Sequence, residues 1–455
     1  MKHHSIICRL GASDKTPVKP SRVDSEITEI SFIESESRLE FGLGQAMDQL
    51  GALGLVPSET SIDLCILAAL LTAADTRISR GDTQDKWTRE IDLHVPVSDP
   101  ALWTAQTPLL IKTLNFLTGD RWGVYFRKRI ASQKTLKRAA HKLRTAHPTS
   151  ICLLSGGLDS FIGAVDLLAS KEVPLFVSHY WDGTTSKHQT YCIDKLTKNY
   201  TGKRVDCIRA RVGFPNHTVE GSDSENTLRA RSFLFFSLAT LAADAAGVTK
   251  IHVPENGLIS LNVSLDPLRL GSLSTRTTHP FYMARFNELL QGLGIAASLE
   301  NRYRHMTKGQ MIAQSVDKAF IEKNAKNTMS CSAPNKYRFS KDKSLRKPQH
   351  CGHCVPCLIR RAALLSGLGK DDTSYAIANL KARPLNTNKA EGDHVRSFQY
   401  ALAKLDRNPK RAQFDIHRPG PLIDHPNDLK AYEKVYVDGL REVGALLAGV
   451  KAKPL

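Results

Sequence analysis

Residues 151–168 read ICLLSGGLDSFIGAVDLL. The apolar run Ile151–Leu154 has the length and continuity of a strand covered on both faces. Phe161, Val165 and Leu168 then recur on one helical stripe. Between them lies Ser155-Gly156-Gly157-Leu158-Asp159-Ser160. Two glycines without a Cβ let the backbone turn its N–H groups toward one point. The helix that follows adds its positive end and free donors. Ser155 and Ser160 add short hydroxyls, so residues 155–160 predict an anion cradle for a nucleotide's phosphates. The loop has no G-K-[ST], which excludes the Walker type. Asp159 in an anion site makes sense as an Mg²⁺ partner, or through the amides and hydroxyls around it.

The same rhythm continues downstream. Strands are expected at 173–181, 204–212 and 250–256, with helices at 188–200 and from about 225 to Gly247. Strand–helix alternation predicts an α/β fold with a doubly wound parallel sheet over 150–330. Ligands of such sheets bind at the carboxyl ends of strands, where residues 155–160 fall.

Upstream, residues 1–149 read as a separate α+β domain. Its apolar helix is 62–74 and its strands are 89–97 and 121–127. Asp99 caps a helix with Pro100 at its first position, running to about Leu117, and Pro108 can kink or split it. The basic run 127–144 reads as an exposed connecting helix. Residues 366–455 read as mostly helical, with proline-rich loops.

The chain has 455 residues and a net charge of +18, from 63 Lys and Arg against 45 Asp and Glu. At 41% hydrophobic and 24% charged residues it can bury a large core, and a disordered or membrane composition is excluded. No apolar leader is visible, so a cytoplasmic location is expected. The surplus charge favours polyanions or phosphorylated ligands. It concentrates in 127–144, with eight cations and no acid, and in 335–347, with six cations and one acid. Sparse aromatic interleaving argues against a stacking platform for single-stranded nucleic acid.

Four of the nine cysteines, Cys331, Cys351, Cys354 and Cys357, form C-x₁₉-C-x₂-C-x₂-C over 331–365. Without an export signal, metal is the better reading than disulfides. Four thiolates suit structural Zn²⁺, and an iron–sulfur cluster is the alternative. Arg229, Arg231 and Lys308 are the candidate cations for a departing pyrophosphate. Arg229 and Arg231 point nearly opposite ways on a helix, so only one faces the site.

SGGLDS resembles the SGGxDS signature of the PP-loop ATP pyrophosphatases, which release pyrophosphate and transfer AMP to an oxygen. Three further stretches resemble QueC, the 7-cyano-7-deazaguanine synthases. They are TMSC…CGHCVPCLIRRAAL (328–364), RSFLFFSLA (231–239) and MTKGQMI (306–312). That resemblance implies a HUP-like PP-loop domain. It implies that Ser155, Gly156, Gly157, Leu158 and Ser160 hold ATP, and that Asp159, Arg231 and Lys308 serve catalysis. It implies zinc on Cys331, Cys351, Cys354 and Cys357. The implied reaction is adenylation of 7-carboxy-7-deazaguanine, with Mg²⁺ and ATP, on the way to an amide or nitrile. The chain is about twice the family's length, and HVPENGLISLN (252–262) stands where the family has G-Y-P-D-C-R. Long QueC-like chains with segments like WTREIDLHVPV and FLTGDRWGVYFR resemble QatC of the Qat anti-phage systems. This implies conjugation to an amine of a partner protein encoded nearby. A tRNA-modifying PP-loop enzyme is the alternative.

Overall fold

The computed structural model describes residues 2–33, 38–139, 143–225, 228–267 and 275–455. Two parallel sheets organise the chain. The first has β1 (His3–Arg9), β2 (Ser25–Ser31), β3 (Glu90–Val97) and β4 (Arg121–Lys128), in the order β2-β1-β3-β4. The second has β5 (Ser150–Leu153), β6 (Pro174–His179), β7 (Cys207–Ala210), β8 (Lys250–His252) and β9 (Ser298–Glu300), in the order β7-β6-β5-β8-β9.

The second sheet is buried on both faces, as its apolar strands require. Ile151 and Leu153 of β5 and Leu175 and Val177 of β6 join the core cluster that holds helix Arg231–Ala246. The alternate residues Cys152 and Phe176 join a second cluster with Phe161 and Val165 of helix Leu158–Ala169 and with Leu196 of helix Gly183–Asn199. Period-two alternation thus sorts one strand's side chains between two helical layers. The chain leaves β5 toward β6 on one side and returns to β8 on the other. The crevice between β5 and β8 is therefore the switch point of the sheet.

Helix Glu59–Arg77 is buried around nearly its whole girth, because it sits between the first sheet and helix Arg231–Ala246. Ser61 Oγ donates to Asp244 at 2.6 Å and Cys65 Sγ to the Ser237 carbonyl at 3.3 Å. Asp99 does cap a helix, and the chain breaks at Gln106 into Pro100–Ala105 and Thr107–Thr118, two residues before Pro108. The tail is helical, with Ala390–Arg407 and Leu429–Leu447 packed around Phe398, Tyr432 and Leu440.

The expected helix over 127–144 is not formed among its described residues. Arg127 and Lys128 end β4, one 3₁₀ turn covers Ala131–Gln133, and the rest up to residue 139 has no regular structure. Local pull toward helix loses to tertiary anchoring. Arg129 is buried against Asp63 and Glu59, and Glu59 accepts the backbone N–H groups of Leu136 and Lys137. Residues 140–142 lie outside the described residues. The helix expected from about 225 begins at Arg231; residues 226–227 are likewise outside.

Candidate functional site

The turn after β5 closes on itself through its own side chains. The Ser155 amide donates to Ser160 Oγ at 3.2 Å, the two Oγ atoms lie 3.0 Å apart, and Ser160 Oγ donates to the Gly157 carbonyl at 3.1 Å. Gly156 has φ +83°. A Cβ there would lie 3.0 Å from the Gln189 backbone nitrogen and 3.2 Å from the His188 carbonyl carbon. Only glycine fits both that dihedral and that approach. Helix Leu158–Ala169 starts at once, with Gly157 as its extended N-cap.

Asp159 sits on the first turn of that helix and is 6% exposed. Lys308 Nζ lies 2.9 Å from its Oδ1, while the side-chain and backbone N–H groups of Asn256 donate to Oδ2 at 2.7 and 3.2 Å. Burial alone would raise Asp159, but Lys308 and these hydrogen bonds outweigh it and hold the carboxyl below its ordinary range. Glu255 stands on the loop after β8, with Oε1 3.3 Å from Asn256 Nδ2. Burial and the negative charge of Asp159 push Glu255 well above its ordinary value. Two carboxyl groups and one ammonium therefore meet at the switch point.

Lys308 opens helix Lys308–Gln314. Thr307 and Gln310 form a reciprocal capping box there, and Glu442 of the C-terminal helix accepts from the Thr307 hydroxyl. The tail thus braces the lysine.

Ser155, Gly157, Leu158, Asp159, Ser160, Arg231, Lys308 and Cys331 all line one cleft of about 730 Å³. Arg231 does so with its guanidinium carbon 3.8 Å from the Trp181 ring centre, and burial lowers it to about 10. Arg229 turns the other way. It lies 4.2 Å from the Trp87 ring centre and donates to the Thr118 carbonyl at 3.1 Å, in the first sheet's layer.

The four cysteines converge, with all Sγ atoms within 4.8 Å of one another. Two of the Sγ–Sγ distances are 3.9 Å. The Cys351 amide donates to Cys331 Sγ at 3.4 Å and the Cys354 amide to Cys351 Sγ at 3.3 Å. Four clustered thiols with inward amides fit a tetrahedral thiolate-bound metal. The neighbouring histidines are engaged elsewhere: His350 accepts from the Ser330 amide, and His353 faces Lys336 and Tyr337. Buried Arg360 donates to Thr328 and Ser330, fixing the segment that leads into Cys331.

Sequence reasoning missed Glu255, Asn256, His188 and Trp181. From sequence, the segment 252–262 stands out only as a departure from the family's pattern. Its Pro254 also packs on the glycine helix, since a Cβ on Gly163 would lie 2.3 Å from Pro254 Cγ.

A parallel α/β sheet with a glycine-cornered turn and a helix N-terminus at its switch point is an arrangement that can receive the phosphates of a nucleotide. A stretch of 64 residues is 39% identical to 7-cyano-7-deazaguanine synthase of Pyrococcus furiosus, which supports the QueC-like PP-loop resemblance. The stretch is 14% of this chain and 25% of that protein, so the chain spans about a quarter of the relative it matches. No protein-family model matches the chain. No helix among the described residues is long and apolar enough to cross a membrane.

Proposed function

We propose that the chain is an ATP-dependent adenylating enzyme of the QueC-like PP-loop type, acting in the cytoplasm on a 7-deazapurine carboxylate. One observation carries this reading: the SGGLDS turn, Lys308, Arg231 and Cys331 of the Cys₄ cluster border a single cleft at the sheet's switch point.

In this reading Ser155, Gly156, Gly157, Leu158 and Ser160 bind the triphosphate through loop amides and hydroxyls. The substrate carboxylate attacks the α-phosphorus, the bond to the β-phosphate oxygen breaks, and pyrophosphate leaves toward Arg231 and Lys308. The acyl adenylate then meets an amine. The C–N bond forms as AMP departs, giving an amide. Mg²⁺ travelling with ATP would supply charge neutralisation beside Asp159 and Glu255. Zn²⁺ on Cys331, Cys351, Cys354 and Cys357 would staple the far wall.

The resemblance to QatC extends the reading to anti-phage defence, with the amine belonging to a partner protein. The altered wall supports a different acceptor, because Pro254, Glu255 and Ile259 line the cleft where the family's substrate segment is missing. The cation-rich residues 335–347 begin at the cleft's rim, where Asn335 and Lys336 line it, and this favours a tRNA-modifying enzyme as the second reading.

The test is incubation with ATP, Mg²⁺ and 7-carboxy-7-deazaguanine, supplying ammonia, the operon's partner protein or tRNA. Pyrophosphate release and product mass are followed. Release that depends on the deazapurine supports the reading, and release dependent only on tRNA supports the second. No release under any condition removes both.

A further inference from the structure

One histidine in the cleft belongs neither to the glycine turn nor to the cysteine cluster. His188 lies on the second turn of helix Gly183–Asn199, is half-buried, and lines the cleft together with Ser155, Gly157 and Met329. Its Nδ1 lies 2.7 Å from the Asn327 carbonyl oxygen. A carbonyl only accepts, so Nδ1 carries the proton and Nε2 is a bare acceptor. Nε2 has no hydrogen-bond partner among the described residues, and it is not one of the polar atoms closed off from solvent. Asn327 is itself held to the same helix. Its Nδ2 donates to the Tyr191 hydroxyl at 2.8 Å, and that hydroxyl donates to Asn324 at 2.8 Å. The tautomer and the direction of the ring are therefore fixed before any ligand enters.

The charged and titratable groups around the ring come from two elements. Lys187 and the N-cap Asp182 belong to its own helix, and Arg360 and His350 approach from the cysteine segment. Burial lowers His188 below its ordinary value, and Lys187 and Arg360 add to this. The Asn327 carbonyl and Asp182 oppose it without reversing it. The ring is neutral at pH 7. A bare ring nitrogen repels a phosphate oxygen, which has no proton to share, so this side chain is unsuited to holding the triphosphate. It is suited to taking a proton.

The inference rests on adenylation taking place in this cleft. With residues 155–160 on the phosphates, the acyl carbon bonded through oxygen to the α-phosphorus lies along the wall that His188 lines. We propose that His188 Nε2 is the general base of the second half-reaction. The amine's lone pair forms the C–N bond to the acyl carbon, and the nitrogen becomes positively charged and acidic. Nε2 takes that proton. The C–O bond to AMP breaks with its electron pair going to the phosphate oxygen, and the imidazolium returns its proton to water. Asn327, through its carbonyl, steadies the imidazolium while it lasts.

The full-length protein is given ATP, Mg²⁺ and 7-carboxy-7-deazaguanine with either ammonium or hydroxylamine. First-turnover pyrophosphate release and product mass are followed separately. Hydroxylamine nitrogen, once bonded to the acyl carbon, sheds its proton to water readily and needs no base. His188→Gln can still donate to Asn327 but cannot take a proton. Its amide formation from ammonium is expected to fall about 10²- to 10⁴-fold. Pyrophosphate release in the first turnover and hydroxamate formation should stay close to the wild type's. His188→Asn, which also keeps a donor, is expected to behave alike and covers the case in which the glutamine variant does not fold. Amide formation undiminished in the variants overturns the proposal. So does equal loss with both amines, or loss of first-turnover pyrophosphate release, since either makes His188 a structural or phosphate-binding residue. A wild type that releases pyrophosphate yet gives neither product also overturns it. A wild type that releases no pyrophosphate fails the adenylation reading itself.

Discussion

The Met329 amide donates to the Gly156 carbonyl at 2.9 Å. This bond ties the segment entering the cysteine cluster to the one glycine of the 155–160 turn with positive φ. Cys331 follows two residues later. Order in the knuckle therefore reaches the turn through a single peptide. The loop's geometry depends on a partner 173 residues away in the chain.

Loss of a metal held by the four cysteines should loosen the 155–160 turn. Cys354→Ser, or chelation of the wild type, is expected to release the metal and weaken ATP binding about tenfold, the worth of one well-placed hydrogen bond. Metal analysis and calorimetry on the same samples check this. ATP affinity that survives complete metal loss would separate the two sites.

Gly156→Ala should cost about 1–2 kcal/mol, from the left-handed dihedral, with further loss from the Gln189 backbone 3.0 Å away. Gly183→Ala is the control. Nothing lies within 4 Å of a Cβ there, and its φ is not positive, so stability should hold or rise by up to about 1 kcal/mol. Urea unfolding of the two variants should separate them clearly.

Lys308→Met leaves the buried carboxylate of Asp159 without its counter-charge, and should destabilise by about 3–5 kcal/mol. Asp159→Asn combined with Lys308→Met should recover much of that, since no buried charge is stranded, while pyrophosphate release stays abolished in both. Asp159 is depressed in the folded state. Its contribution is therefore present above the ordinary carboxylate value and disappears as pH falls through the lower folded value. A double variant no more stable than Lys308→Met would contradict the pairing.

The turn and its flanking elements were legible because strand, glycines and helix are all local in sequence. The cysteine spacing was equally plain. β1 and β2 escaped notice: HHSIICR and SEITEIS are polar enough to read as loop. They are strands because β1 pairs in register with β2 on one side and with β3 on the other. Residues 127–139 misled for the opposite reason. Their helix-forming composition yields to buried Arg129 and to Glu59, contacts 66 to 78 residues away. Glu255 and His188 carry no local signature, since each gains meaning only from what the fold brings beside it.

Arg89 shows how the upstream layer is fastened to the site. It is 1% exposed, and its Nη2 lies 2.7 Å from both Asp75 and Asp120. Arg80 pairs with Asp120 as well, at 2.8 Å. The other oxygen of Asp75 accepts the Ala230 amide at 2.9 Å, one residue before Arg231. Arg89→Met removes the cation that lies 2.7 Å from buried Asp75 and leaves Asp120 to Arg80 alone, and should cost about 3–5 kcal/mol. The pH dependence should change too. Burial would raise Asp120, but Arg89 and Arg80 outweigh it and hold it below its ordinary value. Its stabilisation is present above the unfolded carboxylate's pKa of about 4 and is lost as pH falls below it. Without Arg89, burial regains the upper hand, so acid unfolding followed by circular dichroism should begin at higher pH in Arg89→Met than in the wild type. Because Asp75 also holds the amide before Arg231, the variant should weaken ATP binding even at pH 7. An unshifted acid transition would mean that Arg80 alone neutralises Asp120.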